Sequence, residues 1–477
     1  MATDRTLARL RTERPFLVTL GVAAVVRVVV ATAFPPAFLM SDGPTYLGLA
    51  DHLAPSPDRP VGYSVFLRGL STITRSLVLV TSVQLVLGLL TAVAAYVLLR
   101  RWGVVPWVAT LATVPMLFDS MQLLLEHAVL SDVLFGFLVV AAVASLAWWP
   151  APRWWTTAAA GALFGLATVV RVIGEPTVVL AVLFLLLVAT SWRQRLAHAA
   201  VVLVAFAVPI TAYAAWYHDE HGAWAITQAS GRALYMRTTP FVDCATIQVP
   251  AYERVLCPSD PVSSRRDPTW YGWHSPETVP RLHPPPGVTD EQAMRDFAVR
   301  AIKAQPGDYA RVVWRDLRLP FIAVNRNDHY EMSTSVKWKF AKIVDYERSS
   351  HYMSLAFESR LGSVPPPHQP MADVMAAYGR VVFVPGPLAL CLLALTVAGI
   401  VVRRREQPSL RPLALLTLAL ALMLIAVPDV TAQFVWRYQL PLVVLLPLSA
   451  ALGWTRLRWG VTPEPSPPRA PTDRTEA

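Results

Sequence analysis

The sequence predicts an all-α polytopic membrane protein with about ten transmembrane helices and an extracytoplasmic insert domain of α or mixed structure. Of its 477 residues, 54% are hydrophobic and only 16% are charged, and the mean hydropathy is +0.43. A soluble chain normally carries about a quarter charged residues. Several apolar runs of roughly 18 residues or more are nearly free of charge, which is long enough to cross a bilayer.

Ten apolar runs are the candidate spans. Short arginine-bearing segments, such as those at Arg100 and Arg456, lie between alternate runs, and basic segments favour the cytoplasmic side. With the N-terminus inside, ten crossings return the C-terminus inside and keep these segments cytoplasmic. The net charge of +10 is therefore a topology signal and does not indicate a nucleic-acid partner. The runs lie at 15–34, 77–99, 104–118, 123–147, 155–172, 174–191, 198–216, 381–402, 411–428 and 434–455.

This topology divides the chain into five parts and predicts a multi-pass protein of the plasma membrane. The first outer loop, 35–76, connects the first two spans. The C-terminal segment is rich in proline, which is typical of disorder. The parts are a cytoplasmic N-terminus at 1–14, an N-terminal transmembrane module of about seven helices at 15–216, an extracytoplasmic domain at 217–380, C-terminal transmembrane helices at 381–458 and a disordered cytoplasmic tail at 459–477.

The large insert carries two local structural signals. Thr289 and Gln292 have the spacing of a capping box and are followed by apolar residues at helical spacing, and Pro306 begins a second helical stretch. Cys244 and Cys257 can form a disulfide if the insert is exported, worth about 3 kcal/mol by chain-entropy reasoning. The sequence therefore predicts a helical pair and one disulfide in this domain.

Candidate catalytic groups are ionisable residues at the predicted outer ends of spans. The sequence contains no Walker loop, dinucleotide fingerprint or nucleophile elbow, and ionisable residues at such positions are functional candidates by default. Asp42 follows the first span, and Glu126, His127 and Asp132 lie at the start of the fourth. On an ideal helix, the two acids of the fourth span are separated by about 120°, so they do not share a face. Either Glu126 belongs to the preceding loop or the two acids have different roles.

Three arginines accompany these acids. Arg171 and Arg437 lie at outer span ends, and Arg27 lies deeper in the first span. Guanidinium groups bind phosphate through paired hydrogen bonds, and a carboxylate can deprotonate an attacking hydroxyl. Simpler roles remain open for each residue: arginines can reach lipid headgroups, acids can cap helices, and Tyr63 can belong to an interfacial aromatic belt.

Several blocks of the sequence together resemble the C-type superfamily of membrane glycosyltransferases, which use polyprenyl-phosphate sugars. This superfamily includes protein O-mannosyltransferases, the aminoarabinose transferase of lipid A and mycobacterial arabinosyltransferases. Each motif is loose by itself, but the set covers most of the chain. The blocks are SDGPTYLGLADHL, RPVGYSVFL, VLSDVLFGFL, GALFGLATVVRVIGEPTVVL, RAIKAQPGDYARVVWRDLRLPF and WRYQLPLVVLLPLSAALGW.

The resemblance implies an inverting transfer from a lipid-phosphate donor at the outer membrane face. Asp42 matches the position of the family's catalytic base, and Asp132 or Glu126 matches a second acid. Arg171 and Arg437, with Arg27 as a third, would bind the phosphate. Family members often have a pair of acids in the first loop, but Ser41 and Gly43 flank Asp42 in this chain.

The partners implied are a polyprenyl-phosphate-linked sugar, membrane lipids and a glycan, glycolipid or protein acceptor of the cell envelope. The sugar can be a pentose or a hexose. His127 and Tyr63 are further substrate-binding candidates. No cofactor is specified, although a divalent metal is possible because some relatives use one. Two other classes of function stay open: a lipid or polysaccharide transporter or flippase, and a non-catalytic envelope-assembly protein.

Overall fold

The computed structural model describes residues 2–325, 338–340, 366–402 and 410–458, and in 2–11 only the helical backbone is described. The predicted tail at 459–477 and part of the predicted domain at 217–380 lie outside the described residues. Within the described ranges the regular secondary structure is helical and contains no strand. The α-helices are α1 Ala2–Ala33, α2 Gly43–Asp51, α3 Gly62–Ser71, α4 Leu77–Arg101, α5 Pro106–Phe118, α6 Ser120–His127, α7 Asp132–Leu146, α8 Trp154–Val170, α9 Thr177–Val188, α10 Trp192–His221, α11 Ser230–Thr238, α12 Asp290–Ala304, α13 Pro306–Ile322, α14 Met371–Val381, α15 Gly386–Val401, α16 Leu410–Thr431 and α17 Leu440–Arg458.

The protein is an all-α polytopic membrane protein, as the sequence predicts. Among the described residues, five helical stretches are long and apolar enough to cross a membrane, and two helix pairs, each bent by 52°, bring the number to seven. Three shorter apolar helices coincide with the remaining predicted spans. The long stretches are Thr12–Ala33, Leu77–Arg101, Trp192–His221, Leu410–Thr431 and Trp436–Arg458; the bent pairs are α5 with α6 and α14 with α15.

The fourth predicted span, 123–147, is wrong as a continuous helix. The side chain of Asp119 caps α6 by accepting a hydrogen bond from the backbone N–H of Met121 at 2.8 Å, and α6 ends at His127. Residues 128–131 are then non-helical because Phe38 pairs with this segment. The backbone N–H of Phe38 donates to the carbonyl of His127 at 2.9 Å, and the N–H of Val129 donates to the carbonyl of Phe38 at 3.0 Å. Glu126 and Asp132 therefore lie on different helices.

The insert forms a helical unit on the bundle. The side chain of Thr289 and that of Gln292 form the predicted capping box at the start of α12, and α13 begins at Pro306 as predicted. Buried apolar side chains, including Tyr235, Leu256 and Phe297, form the core of the insert.

One end of the bundle collects the segments that carry the candidate residues. Helices α1 and α8 end there, and α4, α7 and α17 begin there, so the first loop meets the segments around 131 and 437. The buried core of the bundle continues up to this end, where Phe34 and Phe38 are both almost fully buried. Apolar packing therefore fixes the backbone that presents the polar side chains described below.

Candidate active site

Asp42 lies where the first loop turns into α2. Ser41 adopts a positive φ of 54°, a conformation that is uncommon for residues other than glycine, and Asp42 occupies the N-cap position without using its side chain as a cap. Its carboxylate is therefore available for other contacts. Arg59 donates to Oδ1 at 2.6 Å and Arg437 donates to Oδ2 at 2.5 Å. Arg437 also donates to the hydroxyl of Ser41 at 3.2 Å.

These two guanidinium groups determine the ionisation of Asp42. Burial raises its pKa, but the attraction of Arg437 and then Arg59 outweighs burial and holds the pKa of Asp42 well below its usual range. Asp42 is therefore ionised at neutral pH. Its ion pairs contribute to stability above the usual aspartate pKa of about 4, and that contribution is lost as the pH falls below this value.

Asp132 and Arg171 form a second ion pair beside the first. Arg171 contacts Oδ1 of Asp132 at 2.8 Å and donates to the hydroxyl of Ser131 at 3.2 Å. This hydroxyl lies 3.0 Å from the phenolic oxygen of Tyr46, a residue of α2. Oδ2 of Asp132 is buried and has no hydrogen-bond partner among the described residues.

The ring of Tyr438 joins the two ion pairs. The guanidinium carbon of Arg437 lies 5.2 Å from the centre of this ring, and that of Arg171 lies 5.6 Å from it. Trp338 also faces Arg437, at 5.2 Å. The Nε atom of Arg437 is buried without a hydrogen-bond partner in the described part of the chain. Arg171 and Arg437, each paired with a carboxylate, therefore lie around one aromatic ring.

An apolar cleft leads to this cluster. Its walls come from α7, α16, α17 and the turn after α8, and they are mainly aliphatic. The polar groups in its lining are those of Asp132, Arg171 and Tyr438. The cleft therefore combines a surface suited to a hydrocarbon chain with cationic and anionic groups at one end.

Glu126 and Arg27 lie in a separate buried pair. Arg27 donates to Oε1 of Glu126 at 2.7 Å, and their side chains are 2% and 0% exposed. Arg27 also donates to the carbonyl of Leu117 at 2.9 Å, and the amide of Gln122 donates to Oε1 of Glu126 at 2.8 Å. Neither ion-pair residue lines the cleft.

His127 contacts backbone near the site, and Tyr63 contacts the side chain of Gln84. Nε2 of His127 lies 2.6 Å from the carbonyl oxygen of Phe34. The hydroxyl of Tyr63 donates to Oε1 of Gln84 at 2.6 Å. The amide of Gln84 then donates to the carbonyls of Glu126 at 3.0 Å and Ala128 at 2.7 Å. Gln84 thus fixes the segment that leads to Ser131 and Asp132.

Sequence reasoning did not assign roles to Arg59, Tyr46 and Gln84. Arg59 stands in the quoted block RPVGYSVFL, so its position was visible, but nothing in the sequence pairs it with Asp42. Gln84 is a polar residue within an apolar run, which is a usable signal because polar groups in a span need partners. Tyr46 has no distinguishing signal.

The predicted disulfide is present in the insert. Cys244 and Cys257 are bonded, with a Cα–Cα distance of 6.1 Å. In the described ranges, no group of three or more His, Cys, Asp or Glu side chains has an arrangement that could hold a metal ion.

Residues 69–221 match a family model described as dolichyl-phosphate-mannose-protein mannosyltransferase. The match covers about a third of the chain, from α3 to the end of α10, and it includes Asp132 and Arg171. It confirms the family resemblance that the sequence blocks indicated. A comparison with curated proteins finds no match.

Three solved structures are similar to parts of the chain. The Saccharomyces cerevisiae protein O-mannosyltransferase Pmt1-Pmt2 complex bound to the sugar donor is 19% identical over 50% of this chain and 38% of its own, with a TM-score of 0.37. The Archaeoglobus fulgidus oligosaccharyltransferase AglB in complex with an inhibitory peptide and a dolichol-phosphate is 12% identical, with a TM-score of 0.44, and the apo form is 13% identical, with a TM-score of 0.43. Both A. fulgidus alignments cover 92% of this chain and 50% of the other. The chain thus spans half or less of the length of these proteins.

Proposed function

We propose that the protein is a membrane glycosyltransferase that moves a sugar from a polyprenyl-phosphate donor to an acceptor hydroxyl at the extracytoplasmic face. The observation that carries this proposal is the apolar cleft with Arg171 and Asp132 at one end, next to the Asp42–Arg437 pair. A polyprenyl chain suits the aliphatic walls, and its phosphate suits the arginines. The family match at 69–221 supports the same class of donor.

In the proposed reaction Asp42 is the general base. It accepts the proton of the acceptor hydroxyl while the hydroxyl oxygen attacks the anomeric carbon from the side opposite the phosphate, which inverts the configuration. Arg437 and Arg171 stabilise the negative charge that develops on the departing phosphate. A stabilised phosphate is a good leaving group, so the reaction does not require a separate strong acid.

Asp132 is the better candidate for the second acid. It lines the cleft and pairs with Arg171, which supports a role in orienting the phosphate-binding arginine. Glu126 pairs with Arg27 inside the bundle, which supports a structural role for both. His127 and Tyr63 are proposed to act by positioning backbone and Gln84, since their polar atoms contact those groups.

The name of the matching family supports mannose as the first sugar to test and a protein as the first acceptor. The name of the yeast complex describes a protein O-mannosyltransferase bound to its sugar donor. Glycans and glycolipids of the cell envelope are further acceptor classes. A pentosyl donor is the second choice of sugar.

The test is transfer by the purified protein from a panel of polyprenyl-phosphate sugars. The wild type is compared with Asp42→Asn, which keeps the side-chain shape and removes the base. Asp58→Asn is the matched control because Asp58 lies in the same loop and is exposed. We expect transfer by wild type and control, and a loss of at least about 100-fold in Asp42→Asn. Full activity in Asp42→Asn would refute the assignment, and lipid movement across sealed vesicles without product would favour a flippase.

A further inference from the structure

Both oxygens of Asp42 are occupied in the resting arrangement. Arg59 contacts one and Arg437 contacts the other. A carboxylate held by two guanidinium groups has a low affinity for a proton, and a general base becomes less effective as its pKa falls. If Asp42 is the base of the proposed reaction, the resting arrangement keeps it in a poorly reactive state.

The two arginines differ in what else they can reach. Arg437 shares the Tyr438 ring with Arg171, and Tyr438 and Arg171 both line the apolar cleft. Arg59 lies over the ring of Tyr46 at 5.6 Å, on the side of α2. An anion entering through the cleft therefore meets Arg171 and Arg437 before Arg59.

We propose that Arg437 exchanges the carboxylate of Asp42 for the donor phosphate, so that donor binding and bond breaking free Asp42 to act as the base. This inference rests on the proposed function. Arg59 stays with Asp42 and orients it. Arg437 thus acts as a switchable counter-ion between the base and the leaving group.

The charges of the reaction favour this exchange. The bond that forms joins the acceptor oxygen to the anomeric carbon, and the bond that breaks joins that carbon to a phosphate oxygen, which keeps the electron pair. The phosphodiester carries about one negative charge and the lipid phosphate that leaves carries nearly two. Asp42 loses its charge when it takes the proton. One negative charge is therefore lost at Asp42 and gained at the phosphate. Arg437 is then attracted more strongly to the phosphate than to Asp42.

The site has the charge to support this movement. Three arginines and two carboxylates leave one net positive charge, which the donor phosphodiester balances. After transfer, neutral Asp42 and the doubly charged lipid phosphate give the same balance. The charged and titratable groups that face Asp42 and its two arginines are Arg59, Arg437, Tyr46, Arg171, Asp132, Tyr438 and Asp58.

The first test measures binding of polyprenyl monophosphate, without sugar, to the detergent-solubilised protein. If Asp42 and phosphate compete for Arg437, then Asp42→Asn should bind this lipid about tenfold more tightly than the wild type, a coupling within the usual range between linked sites. Asp58→Asn should bind like the wild type. Unchanged or weaker binding by Asp42→Asn would overturn the exchange, even if transfer itself occurs.

The second test compares pH–rate profiles, because kcat/KM reports the free enzyme and kcat the donor complex. In the wild type, the apparent pKa of the acid limb should be at least about one pH unit higher in the kcat profile than in the kcat/KM profile. The reason is that the bound donor draws Arg437 away from Asp42. Arg59→Gln should raise the acid limb of kcat/KM by about one pH unit, while Arg59→Lys should restore it. Coincident limbs, or an Arg59→Gln variant that loses rate without a shift, would overturn the inference. No transfer in any variant would instead refute the proposed function.

Discussion

The buried pair of Arg27 and Glu126 provides a test of whether a predicted site residue has a chemical or a structural role. Glu126→Gln keeps the side-chain shape but removes the charge that compensates Arg27, which is 2% exposed. An uncompensated buried charge costs about 3–5 kcal/mol. We expect Glu126→Gln to lower the free energy of unfolding by this amount, measured by denaturant titration in detergent micelles.

The double variant separates the two roles. Replacing both partners with methionine removes both charges, and such replacements of buried ion pairs are often neutral or stabilising. The free energy of unfolding of the double variant should lie about 1–3 kcal/mol below that of the wild type, because the amide of Gln122 loses its acceptor. Transfer activity should return with stability in the double variant.

The matched control is Glu13→Gln. Glu13 pairs with Arg100 at 3.0 Å and also connects α1 with α4, but this pair is 31% and 27% exposed. Pairs that stay in contact with solvent contribute about 1 kcal/mol or less, so this partly exposed pair should leave the variant closer to wild-type stability than Glu126→Gln. A Glu126→Gln variant that keeps its stability but loses transfer would refute the structural role and return Glu126 to the catalytic candidates.

Three further variants probe the supports of the site. Gly88→Ala places a Cβ where it overlaps the carboxylate of Glu126, so it should lower the free energy of unfolding by about 1–3 kcal/mol. Gly21→Ala is the control, since its added Cβ meets nothing within 4 Å, and it should change stability little. Equal melting temperatures for the two variants would contradict this expectation. Gln84→Leu removes two hydrogen bonds to the backbone before Asp132. It should lower the free energy of unfolding by about 1–3 kcal/mol and should also lower kcat. An unchanged kcat would contradict a positioning role for Gln84. Cys257→Ser should destabilise the insert by about 3 kcal/mol, measured as increased protease sensitivity, and reduction of the wild type should have the same effect.

The fold class followed from the sequence because long apolar runs have few physical solutions in a membrane. Each of the ten runs overlaps a helix, and the insert helices begin where Thr289 and Pro306 predict them. The error in the fourth span has a specific cause. Residues 128–131 are apolar enough for a helix, but they pair with Phe38, about 90 residues earlier in the chain, and that contact has no local sequence signal.

The residues of the candidate site were partly predictable from the sequence. Asp42, Asp132, Arg171 and Arg437 were selected because ionisable residues at span ends are functional candidates, and the structure brings all four together. Their pairing could not be read from spacing, since Arg437 and Asp42 are 395 residues apart. Asp132 faces the cleft and Glu126 faces a buried arginine because the break at 128–131 places them on different helices.

The insert contacts the segment that precedes Arg437. Arg237 donates to the carbonyl of Asp429 at 3.0 Å, and the hydroxyl of Tyr309 donates to the carbonyl of Val430 at 3.1 Å. Thr269 and Gln433 lie within hydrogen-bond distance of each other at 3.0 Å. Three separate parts of the insert therefore contact the last turn of α16 and the connection that follows it. Because Arg437 follows this segment within a few residues, we expect these contacts to limit the movement of its backbone, which suits a short exchange between Asp42 and a phosphate.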